Sequence, residues 1–446
     1  MSLRETATVL DARLDGGDAV FTGVGTDTRT LREGDLFFAL RGPRFDGHLF
    51  LSEAAAAGAA GAVVSRRIAT PLPTLEVEDT RVALGQLAAN WRSRFDFPLI
   101  AVTGSNGKTT VKNMIAAIMV ECGPGCATEG NLNNDIGVPL TLLRMRPEHR
   151  FAVIEMGMNH RGEIAYLTQL ARPTVALITN AGAAHLEGLG SIEAVARAKG
   201  EIFAGLADDG VAVINADDDY AGLWRDLAAP HRCISFALDA KADVMAQYAF
   251  VADGSTIQLT SQWGEVEMKL PLLGKHNVMN AVAAASASLA AGASLADIRV
   301  GLEKLRAAAG RLEIKKGING ARILDDTYNA NPASVAAGLQ VLRESGGERV
   351  LVLGDMAELG EAAPEIHRRV GEMARKLGVQ RLLAVGPLSA AAAEAFGKGG
   401  RHFDTHEECA DALLDLLHGD MTVLVKGSRS MHMERVVQRI ARAEQE

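Results

Sequence analysis

The octapeptide TGSNGKTT at residues 103–110 carries the sharpest chemical signal in the chain. Glycines let a backbone fold around an anion, inward-pointing amides supply donors, and the N-terminus of a following helix adds positive potential. In such a loop Gly104, Ser105, Asn106, Gly107 and Thr110 would wrap the phosphates of a nucleotide. Lys108 would reach the β/γ phosphates, and the Thr109 hydroxyl would bind Mg²⁺. The general pattern G-x-x-x-x-G-K-[ST] asks for a glycine where this chain has Val102. A nucleotide loop also needs an acidic metal ligand on a neighbouring strand, and Glu155 ends the apolar run FAVIE. Asn180 and His185 follow another apolar run in TNAGAAHLE. A lone histidine is more often structural than a ligand, but placement at the same sheet edge favours function. Lys199, in RAKGEIF, reads locally as an exposed helix lysine.

These residues need a scaffold that ends several strands at one edge. From residue 98 the chain shows apolar runs of strand length, PLIAVTG (98–104), FAVIEMG (151–157), TVALITNAG (174–182) and GVAVINAD (210–217). Helical stretches such as VKNMIAAIMVE (111–121) and SIEAVARAKGEIFAGL (191–206) separate some of them. That alternation predicts a parallel sheet covered on both faces. Residues 247–273 alternate polar and apolar positions and predict an antiparallel addition, followed by a helix over 277–291. After residue 309 the runs ARILDDT (321–327), RVLVLGD (349–355), RLLAVG (381–386) and MTVLVKG (421–427) predict a second, Rossmann-like sheet. Before residue 95 the runs DLFFAL (35–40) and GAVVS (61–65), with helices at 52–59 and 84–95, predict a small α/β unit. The expected fold is therefore α/β in three domains: 1–95, a central P-loop-type domain 96–309, and a C-terminal Rossmann-like domain 310–446.

Composition agrees with that size. A chain of 446 residues fits about three domains at about 150 residues each. Hydrophobic residues make up 48% and aromatics only 4%, so the cores must be built from Ala, Val, Leu and Ile. The net charge of −9 disfavours a nucleic-acid partner. The four cysteines are scattered, and no second pair completes a zinc site around Cys122 and Cys126. The charged N-terminus lacks the apolar core of a signal peptide, and the small-residue stretch at 281–296 is too weakly apolar to span a bilayer. A cytoplasmic protein with reduced thiols is expected.

Taken together, the motifs resemble the Mur ligase family, ATP-dependent amide-forming enzymes of peptidoglycan precursor synthesis. TGSNGKTT is similar to that family's variant phosphate loop, which accounts for Val102. TDTRTLREGDLFFALRGPRFDGHLF (26–50) resembles its N-terminal uridine-nucleotide domain, and LGKHNVMNAVAA (273–284) its adenine-side motif. GRLE (310–313), DDTYNANP (325–332), LGDMAELG (353–360) and VKGSRSMHME (425–434) resemble C-terminal signatures. EGNLNNDIGVPLTLL (129–143), EMGMNHRGEI (155–164) and DDTYNANP point within the family to the activity that adds D-alanyl-D-alanine to UDP-N-acetylmuramoyl-tripeptide. The resemblance implies ATP and two Mg²⁺ sites. Thr109, Glu155 and His185 would be metal ligands, together with Lys199 as an N6-carboxylysine (carbamate). It implies Asn277, Asn280, Arg311 and Asp326 as nucleotide contacts. Thr28, Arg29, Asp46, Gly47, His48, Asn133 and Asn134 are candidates for the UDP-sugar acceptor, and Tyr328, Asn329 and Asn331 for the dipeptide side. Asn-rich segments also favour plain turns. A monomer without membrane insertion is expected. The alternative is another ligase of the superfamily, such as folylpolyglutamate synthase, which would not call for the N-terminal motif or DDTYNANP.

Overall fold

The computed structural model describes residues 1–43, 45–182, 189–306 and 309–442. His185 lies outside the described residues. Three sheets follow one another along the chain.

The first contains β1 (Arg13–Asp15), β2 (Gly23–Gly25), β3 (Asp35–Phe38), β6 (Gly61–Val64) and β7 (Thr74–Glu76) in the order β1-β7-β6-β3-β2. Only the β1–β7 pair is antiparallel. A small hairpin, β4 (Arg41–Gly42) with β5 (Phe45–Asp46), stands beside it. The helix Thr80–Arg92 then docks on the central segment. Trp91 Nε1 donates to the Met145 carbonyl (3.0 Å) and Arg92 Nε to that of Ala171 (2.9 Å). The sequence pattern starts this helix at 84. It starts four residues earlier because the Asp79 side chain accepts from the amides of Arg81 and Val82.

The central sheet has nine strands: β8 (Leu99–Thr103), β9 (Gly125–Ala127), β10 (Phe151–Glu155), β11 (Val175–Ile178), β12 (Val211–Asn215), β13 (Arg232–Ala237), β14 (Val244–Val251), β15 (Gly254–Ser261) and β16 (Gly264–Leu270). Their order is β16-β15-β14-β13-β12-β11-β8-β10-β9, parallel from β9 to β14 and antiparallel across β14, β15 and β16. Every residue of β8, β10, β11 and β12 is buried, as strands covered on both faces must be. One apolar core packs the helices Lys108–Met119 and Lys275–Ala290 against one face, and a second packs Glu163–Ala171, Ile192–Gly200 and Ala221–Ala228 against the other. Strands β9 and β13 escape the sequence pattern: β9 has three residues, and β13 opens on the exposed Arg232 and Cys233, so its apolar run is short. The predicted helix 191–206 is α-helical only over Ile192–Gly200 and continues as a 3₁₀ turn over Glu201–Gly205.

The third sheet runs β17-β18-β22-β19-β20-β21, from β17 (Glu313–Lys316), β18 (Arg322–Asp326), β19 (Glu348–Gly354), β20 (Arg381–Val385), β21 (Gly400–Phe403) and β22 (Met421–Lys426). Only β17 is antiparallel to its neighbour. The architecture is α/β with mostly parallel sheets, as the alternation of runs implied. Among the described residues no helix is long and apolar enough to cross a membrane. All four cysteines are free thiols.

Candidate active site

Register brings the central residues together. In adjacent parallel strands Glu155 pairs with Val102 and Ile178 with Thr103, so β10, β8 and β11 all end at one edge. The loop 104–107 leaves that edge and runs straight into the helix beginning at Lys108. Its shape depends on two glycines. Gly104 has φ +154°, and a Cβ there would lie 1.8 Å from Thr179 Oγ1. Gly107 has φ +81°, and a Cβ there would lie 2.5 Å from Asn280 Oδ1. Both positions combine a backbone that favours glycine with no room for a side chain.

Asn180 holds this loop. Its Oδ1 accepts from the Asn106 amide (3.0 Å), and its Nδ2 donates to the Asn106 carbonyl (3.1 Å). The Thr179 hydroxyl also donates to that carbonyl (2.6 Å). Lys108 Nζ lies back over the loop and donates to the Gly104 carbonyl (2.7 Å). Burial lowers its pKa, with Arg311 acting in the same direction and Glu155 opposing. This lysine therefore sits where a polyanion would supply missing countercharge.

Glu155 is 2% exposed. Its Oε1 accepts from Asn133 Nδ2 (2.8 Å), while Oε2 has no hydrogen-bond partner among the described residues. A buried, half-satisfied carboxylate suits a hard cation, which prefers oxygen ligands. Thr109 lines the same cleft. Lys199 is 1% exposed and is not among the cleft-lining residues. Its pKa falls well below the ordinary lysine range because of burial, with Lys108 adding repulsion. The expectation of an exposed helix lysine is thus corrected: the helix Ile192–Gly200 turns this residue inward. A neutral buried amine is the form that can add CO₂. Among the described residues no three His, Cys, Asp or Glu side chains form a metal cluster by themselves.

The third sheet faces the loop across a cleft of about 1290 Å³. Asp326 and Lys426 are register partners at the ends of β18 and β22. Lys426 Nζ donates to Asp326 Oδ2 (2.5 Å) and to the Asn329 carbonyl (3.0 Å). Burial pushes the Asp326 carboxyl up, against the pull of Lys426 and Arg311. The Arg311 guanidinium stacks 4.0 Å above the Tyr328 ring. Asn331 caps the helix Pro332–Glu344 through Oδ1, and its Nδ2 reaches Asn106 Oδ1 (2.8 Å) on the phosphate loop. Asn277 and Asn280 are buried and bonded to each other (3.2 Å) beneath Gly107.

Two more of the expected residues, Asn134 and Asn329, line this cleft and make local bonds of their own, while five stand apart from it. Asn134 accepts from the amides of Ile136 and Gly137 at the entry to the helix Gly137–Leu143. Asn329 Oδ1 accepts from the Ala330 amide (2.8 Å). Thr28, Arg29, Asp46, Gly47 and His48 do not line the cleft. Arg29 is paired with Asp27, whose carboxyl it holds down at about 2. His48 is buried, its Nδ1 lying 2.6 Å from Asp46 Oδ1 and its Nε2 accepting from the Ser65 amide (2.9 Å). These contacts hold the ring between Asp46 and Ser65. Residues absent from the expected site also enter the cleft: Lys426, His276, Arg81 and Arg161. Lys426 had a signal, since the apolar run MTVLV is followed by a charge, as ARIL is.

Comparison with known proteins agrees along the whole chain. Residues 20–92 match the family model "Mur ligase family, catalytic domain", 102–288 "Mur ligase middle domain" and 310–429 "Mur ligase, glutamate ligase domain". The chain is 46% identical over 441 residues to the UDP-N-acetylmuramoyl-tripeptide–D-alanyl-D-alanine ligase of Escherichia coli (strain K12), covering 98% of this chain and 97% of that protein. A crystal structure of MurF from Acinetobacter baumannii superposes with a TM-score of 0.91 at 38% identity, covering 98% and 97%. MurF ligase from Thermotoga maritima in complex with ADP superposes with a TM-score of 0.83 at 27% identity, covering 94% and 96%.

Proposed function

The chain belongs to the Mur ligase family, and from that premise we propose that it joins the amine of D-alanyl-D-alanine to the free peptide carboxylate of UDP-N-acetylmuramoyl-tripeptide, consuming ATP. Near-complete coverage of relatives bearing that name carries the reading. The phosphate loop opposite Asp326 and Lys426 supports it with geometry suited to phosphoryl transfer.

A carboxylate oxygen is a poor leaving group, so amide formation needs activation. The acceptor carboxylate attacks the γ-phosphorus, ADP leaves, and an acyl phosphate forms. The dipeptide amine then attacks the acyl carbon, phosphate departs, and the amine gives up a proton. The first step brings an anion to a polyanion. Loop amides and Lys108 offset that repulsion and stabilise the transferring group. Thr109 and Glu155 would hold Mg²⁺, with Lys199 as a carbamate and His185 at a second ion. Bound Mg²⁺ would neutralise phosphate charge. Carbamylation would turn a buried neutral amine into an anion with two oxygens, which suit a hard cation.

Asn277 and Asn280 serve the adenine side, and Arg311 and Asp326 reach the nucleotide from the third sheet. Residues 1–95 hold the uridine end through Thr28, Arg29 and the 46–48 turn, 96–309 bind ATP, and 310–446 bring the dipeptide through Tyr328 and its neighbours. The enzyme acts as a cytoplasmic monomer on substrates free in solution.

The test is phosphate release with ATP and Mg²⁺, with mass detection of product. Release requiring both UDP-N-acetylmuramoyl-tripeptide and D-alanyl-D-alanine supports the proposal. Release with folate and glutamate instead would keep the phosphate chemistry and overturn the substrates.

A further inference from the structure

Glu155 is anchored at its backbone and at its side chain, and the second anchor has a consequence for how it meets a cation. Its backbone amide donates to Thr128 Oγ1 (2.9 Å). The Thr128 carbonyl is in turn held by the buried Lys112 Nζ (2.8 Å). Its side chain is held by Asn133, from the turn before the helix Gly137–Leu143. Asn133 is itself fixed, because its carbonyl accepts from the Gly157 amide (2.8 Å). The Asn133 amide group lies directly over Gly157, where a Cβ would stand 3.0 Å from Oδ1, 3.1 Å from Cγ and 3.2 Å from Nδ2. Gly157 thus leaves the space that lets Asn133 reach back across Met156 to Glu155.

We infer that Asn133 is a positioning residue that occupies Glu155 Oε1, so that Oε2 alone is offered to the divalent cation, and that Gly157 is small to admit it. A free carboxylate can rotate and bind a cation through either oxygen or both. With Oε1 committed to an amide donor, one orientation about the terminal bond is favoured and the orphaned Oε2 is the oxygen left for the cation. This gives the two member-specific segments around Asn133 and Gly157 a shared purpose. The side-chain amide is turned toward Glu155, which sets this role apart from direct recognition of the acceptor.

The inference rests on Glu155 being a metal residue, and the experiment separates the two ideas. Mn²⁺ binding to the full-length enzyme, without nucleotide or acceptor, is followed by the loss of the free Mn²⁺ electron paramagnetic resonance signal. Glu155→Gln should abolish the Glu155-dependent site; unchanged binding there overturns the metal reading and this inference with it. Asn133→Ala should weaken the site roughly 10–100-fold, as loss of a partner that orients a ligand does. Gly157→Ala keeps the Asn133 side chain but pushes it away, and should weaken the same site in the same direction. The Mg²⁺ dependence of turnover should shift with these variants while KM for UDP-N-acetylmuramoyl-tripeptide stays within about twofold. Mn²⁺ binding lost in Glu155→Gln but unchanged in Asn133→Ala overturns the inference, as does a rise in KM for the acceptor alone.

Discussion

Replacing Gly104 by alanine tests whether the phosphate loop depends on the packing described. The added carbon would sit 1.8 Å from Thr179 Oγ1, on a backbone with φ +154°. Backbone strain of this kind costs about 1–3 kcal/mol. Thr179 is 3% exposed, so its hydroxyl can yield only by giving up its bond to the Asn106 carbonyl, at about 1 kcal/mol more. The sum is about 2–4 kcal/mol against the ordered loop. If nucleotide binds only that conformation, ADP affinity falls by a factor of about 30 to 1,000. Calorimetric titration with ADP, with thermal unfolding alongside, reads both. Thr179→Ala is the control: it removes the hydrogen bond without the strain and should cost about 1 kcal/mol. An alanine variant that binds ADP within about threefold of the parent, with an unchanged unfolding midpoint, would refute this reasoning.

Other consequences follow from buried charges. Lys426→Met leaves Asp326 without its partner and should destabilise the protein by about 3–5 kcal/mol in denaturant unfolding, with Asp326→Asn in the same chain recovering part of the loss. Lys199→Ala should abolish ligation with a short carboxylic acid restoring some, and ¹³CO₂ should give the parent enzyme a carbamate resonance that the variant lacks; an active variant would contradict the assignment. His276 is held down at about 4 by burial and by Lys426. Its native form therefore binds fewer protons than the unfolded chain between pH 6.5 and 4. Stability should fall as pH drops through that window, by at most about 3 kcal/mol. His276→Asn should flatten that slope in unfolding measured at several pH values.

What could be read in advance follows from range. The loop, its helix and the strand-end Glu155 are contiguous signals, and each buried strand announces itself as an apolar run. Asp326 and Lys426 lie 100 residues apart and meet only through the register of β18 and β22, which no local pattern encodes. Lys199 shows the same limit: its neighbours in sequence are those of a surface helix, and only packing turns it inward. Asn133 was legible as a polar turn residue, but its partner Glu155 lies on a strand 22 residues later. His48 and Asp46 stand next to each other in a suggestive motif, yet the Ser65 amide that completes their arrangement comes from the far side of a helix and a strand.

The central claim is that the acceptor carboxylate is activated by phosphorylation at this loop. Its most direct test uses UDP-N-acetylmuramoyl-tripeptide labelled with ¹⁸O in both oxygens of the reacting carboxylate, with ATP, Mg²⁺ and D-alanyl-D-alanine. Mass analysis of the products should find one ¹⁸O in the released phosphate and one retained in the new amide. Phosphate free of ¹⁸O, with product formed, would contradict the account.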